Sequence, residues 1–147
     1  MEDPIGAVVT QLTSAWTPAN TDSVTPTIAA VFNYKRVDAR NGDYALVYAV
    51  SHSEKSAGLG YGAIDYTDVV SIDIRTAYGS GNITNGRAHL IKLRDEARRC
   101  VYAAKTSLGG YVLASIDNVQ DMSDKSILLW RMVIDVKLRK LPTAAPA

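Results

Sequence analysis

Histidine and cysteine are the side chains best suited to chemistry near neutral pH, and this chain has three of them. His52 and His89 belong to no HxH or HxxxH spacing of the kind that holds zinc. Cys100 falls on the apolar stripe of a predicted helix, where a free cysteine packs as a small hydrophobic residue. A catalytic cysteine needs a neighbouring base and a lowered pKa, and the sequence indicates neither. We therefore predict no catalytic residue, no bound metal and no cofactor, and interpret both histidines as structural or solvent-exposed.

One glycine-rich stretch resembles a phosphate-binding loop only superficially. The string GLGYG, residues 58–62, lacks the GxGxxG spacing, and no helix with an anion-ready N-terminus follows it closely. We predict a mobile loop there. Apolar residues on such a loop often order against a partner, so Leu59 and Tyr61 are candidate partner-contact residues.

Charged groups give two further candidates for binding. Asp117, Asp121 and Asp124 resemble part of a calcium loop, but the central glycine and terminal glutamate of an EF-hand are missing, which favours a solvated loop. Basic residues cluster modestly near the C-terminus and in two short pairs, and solvated faces explain most such groups. The basic residues are Lys35, Arg36, Arg98, Arg99, Arg131, Lys137, Arg139 and Lys140.

Two helices are predicted from capping signals and a period of three to four residues. Asp3 can cap the first free amides, and Pro4 fits the first turn because its missing N–H costs nothing there. Apolar residues recur on one face until Thr17-Pro18 ends this helix. A second amphipathic helix is predicted over residues 87–108.

Five strands complete the prediction. Asn41-Gly42 is a strong signal for a tight hairpin, so we expect the two strands around it to be antiparallel. The predicted strands are residues 27–37, 44–51, 68–76, 111–116 and 126–140, and the long loops are residues 52–67, 77–86 and 117–126.

The last predicted strand is the most informative stretch of the chain. Apolar residues alternate with mostly polar ones, which is typical of a strand with one dry face and one mostly wet face. At about 3.3 Å per residue it would reach roughly 40 Å, about twice an ordinary strand. We predict that Leu93 and Val101 of the second helix pack against its dry face, on the core residues Trp130, Met132, Ile134 and Val136.

The order of elements, α-β-β-β-α-β-β, has no regular strand–helix alternation. It predicts an α+β fold with a mainly antiparallel sheet of about five strands and two helices packed on it. Residues 1–141 are predicted to form a single domain, followed by a flexible Pro/Ala tail over residues 142–147.

Composition limits the classes of function. The net charge of +1 gives no clear basic excess for phosphate binding. A single cysteine excludes an intramolecular disulfide. No apolar run approaches about 20 residues, and the acidic start MEDPIGAVV lacks the basic region of a signal peptide. We therefore expect a soluble protein that acts without export and without a membrane.

Three segments carry a likeness of pattern over nearly the whole chain. The capped helix DPIGAVVTQLTSAW precedes a hairpin entered through TPTI, at Thr25 to Ile28. The strand DVVSIDIRT leads through a glycine-rich loop into the helix RAHLIKLRDEARRCVYAA, and the chain closes on LLWRMVIDVKLRKL. In this pattern the chain resembles the tail-terminator and tail-completion proteins of tailed phages and related viruses.

The resemblance implies an assembly role without catalysis. Such a protein forms a ring, typically a hexamer, at the head-proximal end of the tail tube and joins the tube to the head–tail connector. Its partners would be copies of itself, the tail tube protein and the connector proteins, with DNA passing through the lumen without specific recognition. It would be assembled in the host cytoplasm and reside in the tail or neck of the virion.

Three alternatives remain open from the sequence. One is another neck or head-completion protein with a similar architecture. A second is an α+β binding module that contacts nucleic acid through the basic residues of the last strand, which predicts salt-dependent phosphate binding. A third is a small enzyme whose active site converges from scattered positions, which predicts a deep polar pocket in a monomer.

Overall fold

The computed structural model describes residues 3–31, 42–56, 63–77, 83–124, 129–140 and 143–144. Two α-helices and five strands follow the predicted order, a short sixth strand comes after them, and a short 3-10 helix, Pro18–Thr21, follows the first helix. The helices are α1 (Pro4–Ala15) and α2 (Ile83–Ala103). The strands are β1 (Thr27–Ala30), β2 (Tyr44–Ser56), β3 (Ala63–Ala77), β4 (Leu113–Asp121), β5 (Leu129–Arg139) and β6 (Thr143–Ala144).

The strands form one mixed sheet in the order β1-β2-β3-β5-β4, and β6 pairs with the beginning of β3. The β2–β3, β3–β5 and β4–β5 pairs are antiparallel, so the sheet is mainly antiparallel as predicted. β3 lies at the centre and is paired along eleven positions with β5, from Thr67–Arg139 to Ala77–Leu129. The α+β class and the strand order predicted from the sequence are confirmed.

Both helices pack on the same face of the sheet and enclose the core. Helix α1 begins as predicted, because Asp3 Oδ1 accepts a hydrogen bond from the Ile5 N–H at 3.1 Å and Pro4 occupies the first turn. The predicted core face of β5 is confirmed, since Trp130, Met132, Ile134 and Val136 lie in one buried cluster with Leu93 and Val101. Burying these side chains is the main favourable term in folding, at about 25 cal/mol per Å² of apolar surface.

The face of the sheet opposite the helices is less exposed to solvent than the alternation predicts. Leu46, Ser71, Asp73 and Val133 all point to that face and are buried. The prediction of a mostly wet face therefore holds at the C-terminal end of β5, where Lys137 and Arg139 are exposed, and fails in the middle of the sheet.

The predicted antiparallel hairpin around Asn41-Gly42 is wrong in the part that the structure describes. Thr27–Ala30 pairs with Tyr44–Val47 in parallel. Hydrophobic alternation does not encode strand direction, because both directions give the same period of two. The end of the predicted first strand, residues 32–37, lies outside the described residues.

Three predicted loops contain regular structure. β2 and β3 continue as a paired hairpin through Ser56 and Ala63, so the predicted loop 52–67 is wrong at both ends. Helix α2 begins at Ile83, four positions before its predicted start, and ends at Ala103. β4 extends through Asp121 into the predicted loop 117–126, because its polar residues pair with β5.

The described C-terminal residues form β5 and one further short strand. β5 spans Leu129–Arg139, with Ser126–Leu128 outside the described residues. In the tail predicted to be flexible, Thr143 and Ala144 pair with Ile64 and Ala63.

Candidate functional site

The β2–β3 hairpin extends beyond the core as an arm, defined here as residues 51–56 and 63–67. A β-bulge between Ala49 and Ser51 shifts the register, after which the two strands stay paired out to Ser56–Ile64. β5 ends opposite Thr67, so the arm reaches past the last full neighbour of β3. Residues 51–55 are exposed. A strand that is paired but exposed is well suited to contact another molecule, because its shape is set before the partner arrives.

Leu59 and Tyr61 fall between the two strands of the arm in the sequence. Both lie outside the described residues. Their role as partner-contact residues stays a prediction.

A buried carboxylate holds the base of the arm to the body of the protein. Asp68 Oδ1 lies 2.5 Å from His52 Nδ1, and its Oδ2 accepts a hydrogen bond from the Tyr111 hydroxyl at 2.6 Å. The other ring nitrogen of His52 lies 2.9 Å from Glu54 Oε1. Hydrogen bonds to Glu54 and Asp68 raise the pKa of His52 above its usual value. Since both ring nitrogens lie against carboxylates, neither is left to take a proton from a substrate, and the ring is poorly arranged to act as a general base.

The second histidine has the same arrangement in a different place. His89 of α2 lies 2.8 Å from Asp22 and 2.6 Å from Asp43, one carboxylate at each ring nitrogen. Lys92 donates to the other oxygen of Asp22 at 2.6 Å. Asp22 adopts the left-handed region at φ 54°, which an aspartate tolerates better than most residues. This cluster joins α2 to the segments that lead into β1 and β2.

Cys100 is buried in the core cluster and its surroundings do not activate it. Burial raises the pKa of the thiol to about 11. A nucleophilic cysteine requires the opposite shift, because the thiolate is the reactive form. The structure thus places Cys100 where the sequence predicted it, on the packed side of α2.

The outer face of the sheet carries a charge cluster that the sequence did not predict. The buried carboxylate of Asp73 binds Arg131 through two contacts of 2.9 Å and Arg75 through one of 2.9 Å. Ser71 donates to Asp135 at 2.5 Å in the next row. Arg131, one of the basic residues considered for phosphate contact, is thereby engaged within the sheet, while Lys137 and Arg139 are exposed.

The acidic residues of the predicted loop 117–126 do not converge on a cation. Asp121 binds Arg87 at 2.8 Å and accepts from the Ser123 N–H at 3.0 Å. Within the described ranges, no three histidine, cysteine, aspartate or glutamate side chains are grouped so that they could hold a metal ion. Neither described helix combines the length and apolar character needed to cross a membrane.

One edge of the sheet is closed over half its length. The Ala114 N–H of β4 donates to the Lys105 carbonyl at 2.7 Å, and the Ile116 N–H donates to the Tyr102 hydroxyl at 3.3 Å. Both acceptors come from α2 or the turn that follows it. The second half of β4, from Asp117 to Asp121, is exposed and receives no such cover from the described residues. Uncovered edge strands are ready templates for pairing with another chain.

Comparison with known proteins adds no information about the arm, the charge clusters or the β4 edge. The chain matches no protein-family model and no curated protein.

Proposed function

We propose that this chain is a virion structural protein, a tail terminator. It forms a ring at the head-proximal end of the tail tube and joins the tube to the connector. The role is one of assembly, without catalysis or a cofactor. The protein acts in the tail or neck of the virion after assembly in the host cytoplasm.

The observation that carries this proposal is the arm. β2 has 13 residues and β3 has 15, which is more than twice a common strand length of about five to six. In the outer part of the hairpin, residues 51–55 of β2 are exposed although they are paired with β3. The described side chains of the arm do not belong to the buried core cluster, so its extension is best explained by a contact with a neighbouring subunit or with the tube.

Two other features support the same reading. The fold has the element order on which the resemblance to tail terminators rests, with a capped α1, a long β3, an amphipathic α2 and a closing β5. The net charge of +1 leaves little long-range repulsion between copies, and it suits a lumen that DNA traverses without specific recognition.

The chemical clusters fit a structural role better than an enzymatic one. Each histidine contacts carboxylates with both ring nitrogens, and the pKa of Cys100 is raised by burial. These groups stabilise contacts between elements of the subunit.

The test is to image the virus particle and to measure the mass of the native protein, alone and mixed with its tail tube. We expect a cyclic assembly, most often of six copies, at the head-proximal end of the tube. The purified subunit is expected to be a monomer at low concentration when each contact is weak. Copies found at another neck position would identify a head-completion protein. Scattered monomers that bind DNA with a steep dependence on salt would support the nucleic-acid-binding alternative instead.

A further inference from the structure

The arm leaves the body of the subunit at a place where few backbone contacts hold it. A β-bulge between Ala49 and Ser51 precedes it on β2, and the pairing of β3 with β5 ends at Thr67. Beyond that point, the described backbone links to the rest of the chain are a hydrogen bond from the Lys140 N–H to the Tyr66 carbonyl at 3.0 Å and two pairs with β6. Because a bulge bends its strand and interrupts the ladder, the base of the arm is where the direction of the arm can change.

Side chains cross this base through one continuous series of contacts. Tyr111, buried in the turn between α2 and β4, donates to Asp68 Oδ2 at 2.6 Å, and Asp68 Oδ1 lies 2.5 Å from His52 Nδ1. His52 Nε2 lies 2.9 Å from Glu54 Oε1, farther along the arm. His52 therefore connects a carboxylate that is anchored on the body with a carboxylate that belongs to the arm.

The protonation of His52 decides how many of these contacts are attractive. The imidazolium has two N–H donors, one for each carboxylate, whereas the neutral ring has one donor and one lone pair. When the ring loses a proton, one of its nitrogens turns a lone pair towards a carboxylate oxygen, and either Asp68 or Glu54 loses its hydrogen bond. The side chain of His52 is 40% exposed, so the ring exchanges its proton with solvent while the subunit stays folded.

The groups around the ring favour its charged form. Besides Asp68 and Glu54, the Tyr66 ring of β3 lies with its centroid 5.9 Å from that of His52, and Lys140, bound through its N–H to the Tyr66 carbonyl, brings one positive charge to the same region. Hydrogen bonds to Glu54 and Asp68 raise the pKa of His52 above its usual value of about 6.5. The contacts are therefore complete below about pH 6.5 and are lost as the pH rises through the higher pKa of the folded protein.

We propose that His52 is a pH-sensitive latch at the base of the arm, which holds the arm against the body when the imidazole is charged and loosens it when the ring is neutral. The latch is a property of the single subunit. Its role in assembly rests on the proposed function, because a loosened arm is a less preorganised contact for the neighbouring subunit or the tube. Ring formation is then weakened as the pH rises above neutrality.

Hydrogen exchange of the monomer at pH 6 and pH 8.5, corrected for the intrinsic exchange rates, measures the latch. We expect the amides of residues 52–56 and 64–67 to lose protection by roughly three- to tenfold at the higher pH, the effect of losing one hydrogen bond. His52→Gln should show the low protection at both pH values. His52→Arg, which stays charged, should show no change between them.

His89→Gln is the matched control, because it removes the other histidine that lies against two carboxylates. It should leave the pH response of the arm unchanged, and circular dichroism establishes that each variant is folded. Equal protection of the wild-type arm at both pH values would overturn the latch, and so would a pH response that persists in His52→Gln.

Native mass spectrometry and electron microscopy with the tail tube then test the role in assembly. We expect fewer rings at pH 8.5 than at pH 6 for wild type, and equal numbers at both for His52→Arg. Wild-type rings that form equally well at both pH values would overturn the role of the latch in assembly and leave the ring itself standing. A wild-type protein that forms no ring at either pH would end the proposed function, while the exchange of the monomer would still decide the latch.

Discussion

His89 and Asp43 are joined by a contact of 2.6 Å that fastens the first half of α2 to the start of β2. The other oxygen of Asp43 accepts a hydrogen bond from the Thr76 hydroxyl of β3 at 2.7 Å, so one carboxylate connects a helix and two strands. With Asp22 at its other nitrogen, His89 joins parts of the chain that are 46 and 67 positions away. The contact is therefore part of the tertiary structure and depends on the protonation of a single ring.

Stability is expected to fall as the pH rises above neutrality. Burial opposes the charge on His89, but the hydrogen bonds to Asp43 and Asp22 outweigh it, so the pKa of His89 is raised in the folded protein. The unfolded chain binds its proton with a pKa of about 6.5. The stabilisation is therefore complete below about pH 6.5 and is lost as the pH rises through the higher folded pKa. His52, whose pKa is also raised, contributes with the same sign.

The check is urea unfolding between pH 6 and 8.5, together with NMR titration of the two imidazoles. The range stops there because the buried Cys100 thiol adds its own dependence at higher pH. His89→Gln should be less stable than wild type at pH 6 and should show a shallower loss of stability as the pH rises. A stability that increases from pH 6 to 8.5, or imidazoles that titrate at or below the usual value, would contradict the assignment.

Gly86 should not tolerate even an added methyl group. A Cβ at this position would clash with Trp130 Nε1, whereas a Cβ at Gly42 would meet no atom of the described residues within 4 Å. Alanine favours a helix by up to about 1 kcal/mol over glycine, but overpacking a core commonly costs about 1–3 kcal/mol, so we expect Gly86→Ala to be destabilising. Gly42→Ala is the matched control and should change the free energy of unfolding by about 0.5 kcal/mol or less. Equal effects of the two substitutions would contradict the close approach of Trp130 to α2.

The two faces of β5 should differ sharply in their sensitivity to truncation. Ile134 is fully buried in the core cluster, whereas Lys137 is exposed. Ile134→Ala should lower the free energy of unfolding by about 2–5 kcal/mol because it removes buried methyl groups and leaves a cavity. Lys137→Ala should change it by about 0.5 kcal/mol or less. Denaturant unfolding of both variants provides the measurement, and small, equal effects would be inconsistent with this packing.

Cys100 should be protected from thiol reagents in the folded protein. Its side chain is buried and the pKa of the thiol is raised to about 11, so thiolate is scarce at pH 8. We expect reaction with a disulfide reagent at pH 8 to be slow in buffer and rapid in denaturant. Fast labelling of native protein would mean that α2 opens readily from the sheet or that the thiol is activated.

The sequence predicts the elements whose side chains pack in the core. It does not predict the strand segments that are held only by backbone hydrogen bonds to a neighbouring strand. Ile72 and Ile134 alternate with polar neighbours, and both strands were located from that pattern. The stretch from Ser51 to Ser56 is polar on both sides because the arm is exposed, so it carries no alternation to recognise. Asp117–Asp121 was missed for the same reason, since its structure comes from backbone pairing with β5.

The contacts between charged side chains could not be predicted from the sequence for a different reason. His52 meets Asp68 because the register of β2 and β3 places them opposite each other, and the bulge at Ala49–Ser51 sets that register. Asp73 meets Arg131 across 58 positions of sequence. Residue types and spacing along the chain contain no information about which strand positions become neighbours, so these clusters follow only from the completed sheet.

The central position of β3 has a consequence for when the subunit can fold during its synthesis. Its partner β2 precedes it directly, but the residues of β5 that pair with its other side arrive much later, as Ser71 and Asp135 show with a separation of 64 positions. A nascent chain can therefore form the β2–β3 hairpin early, whereas the other side of β3 stays unpaired until β5 has been synthesised. Contacts of such distant residues slow folding. β4 also depends on β5, its neighbour in the sheet, so the half of the sheet beyond β3 can form only after β5 has been synthesised.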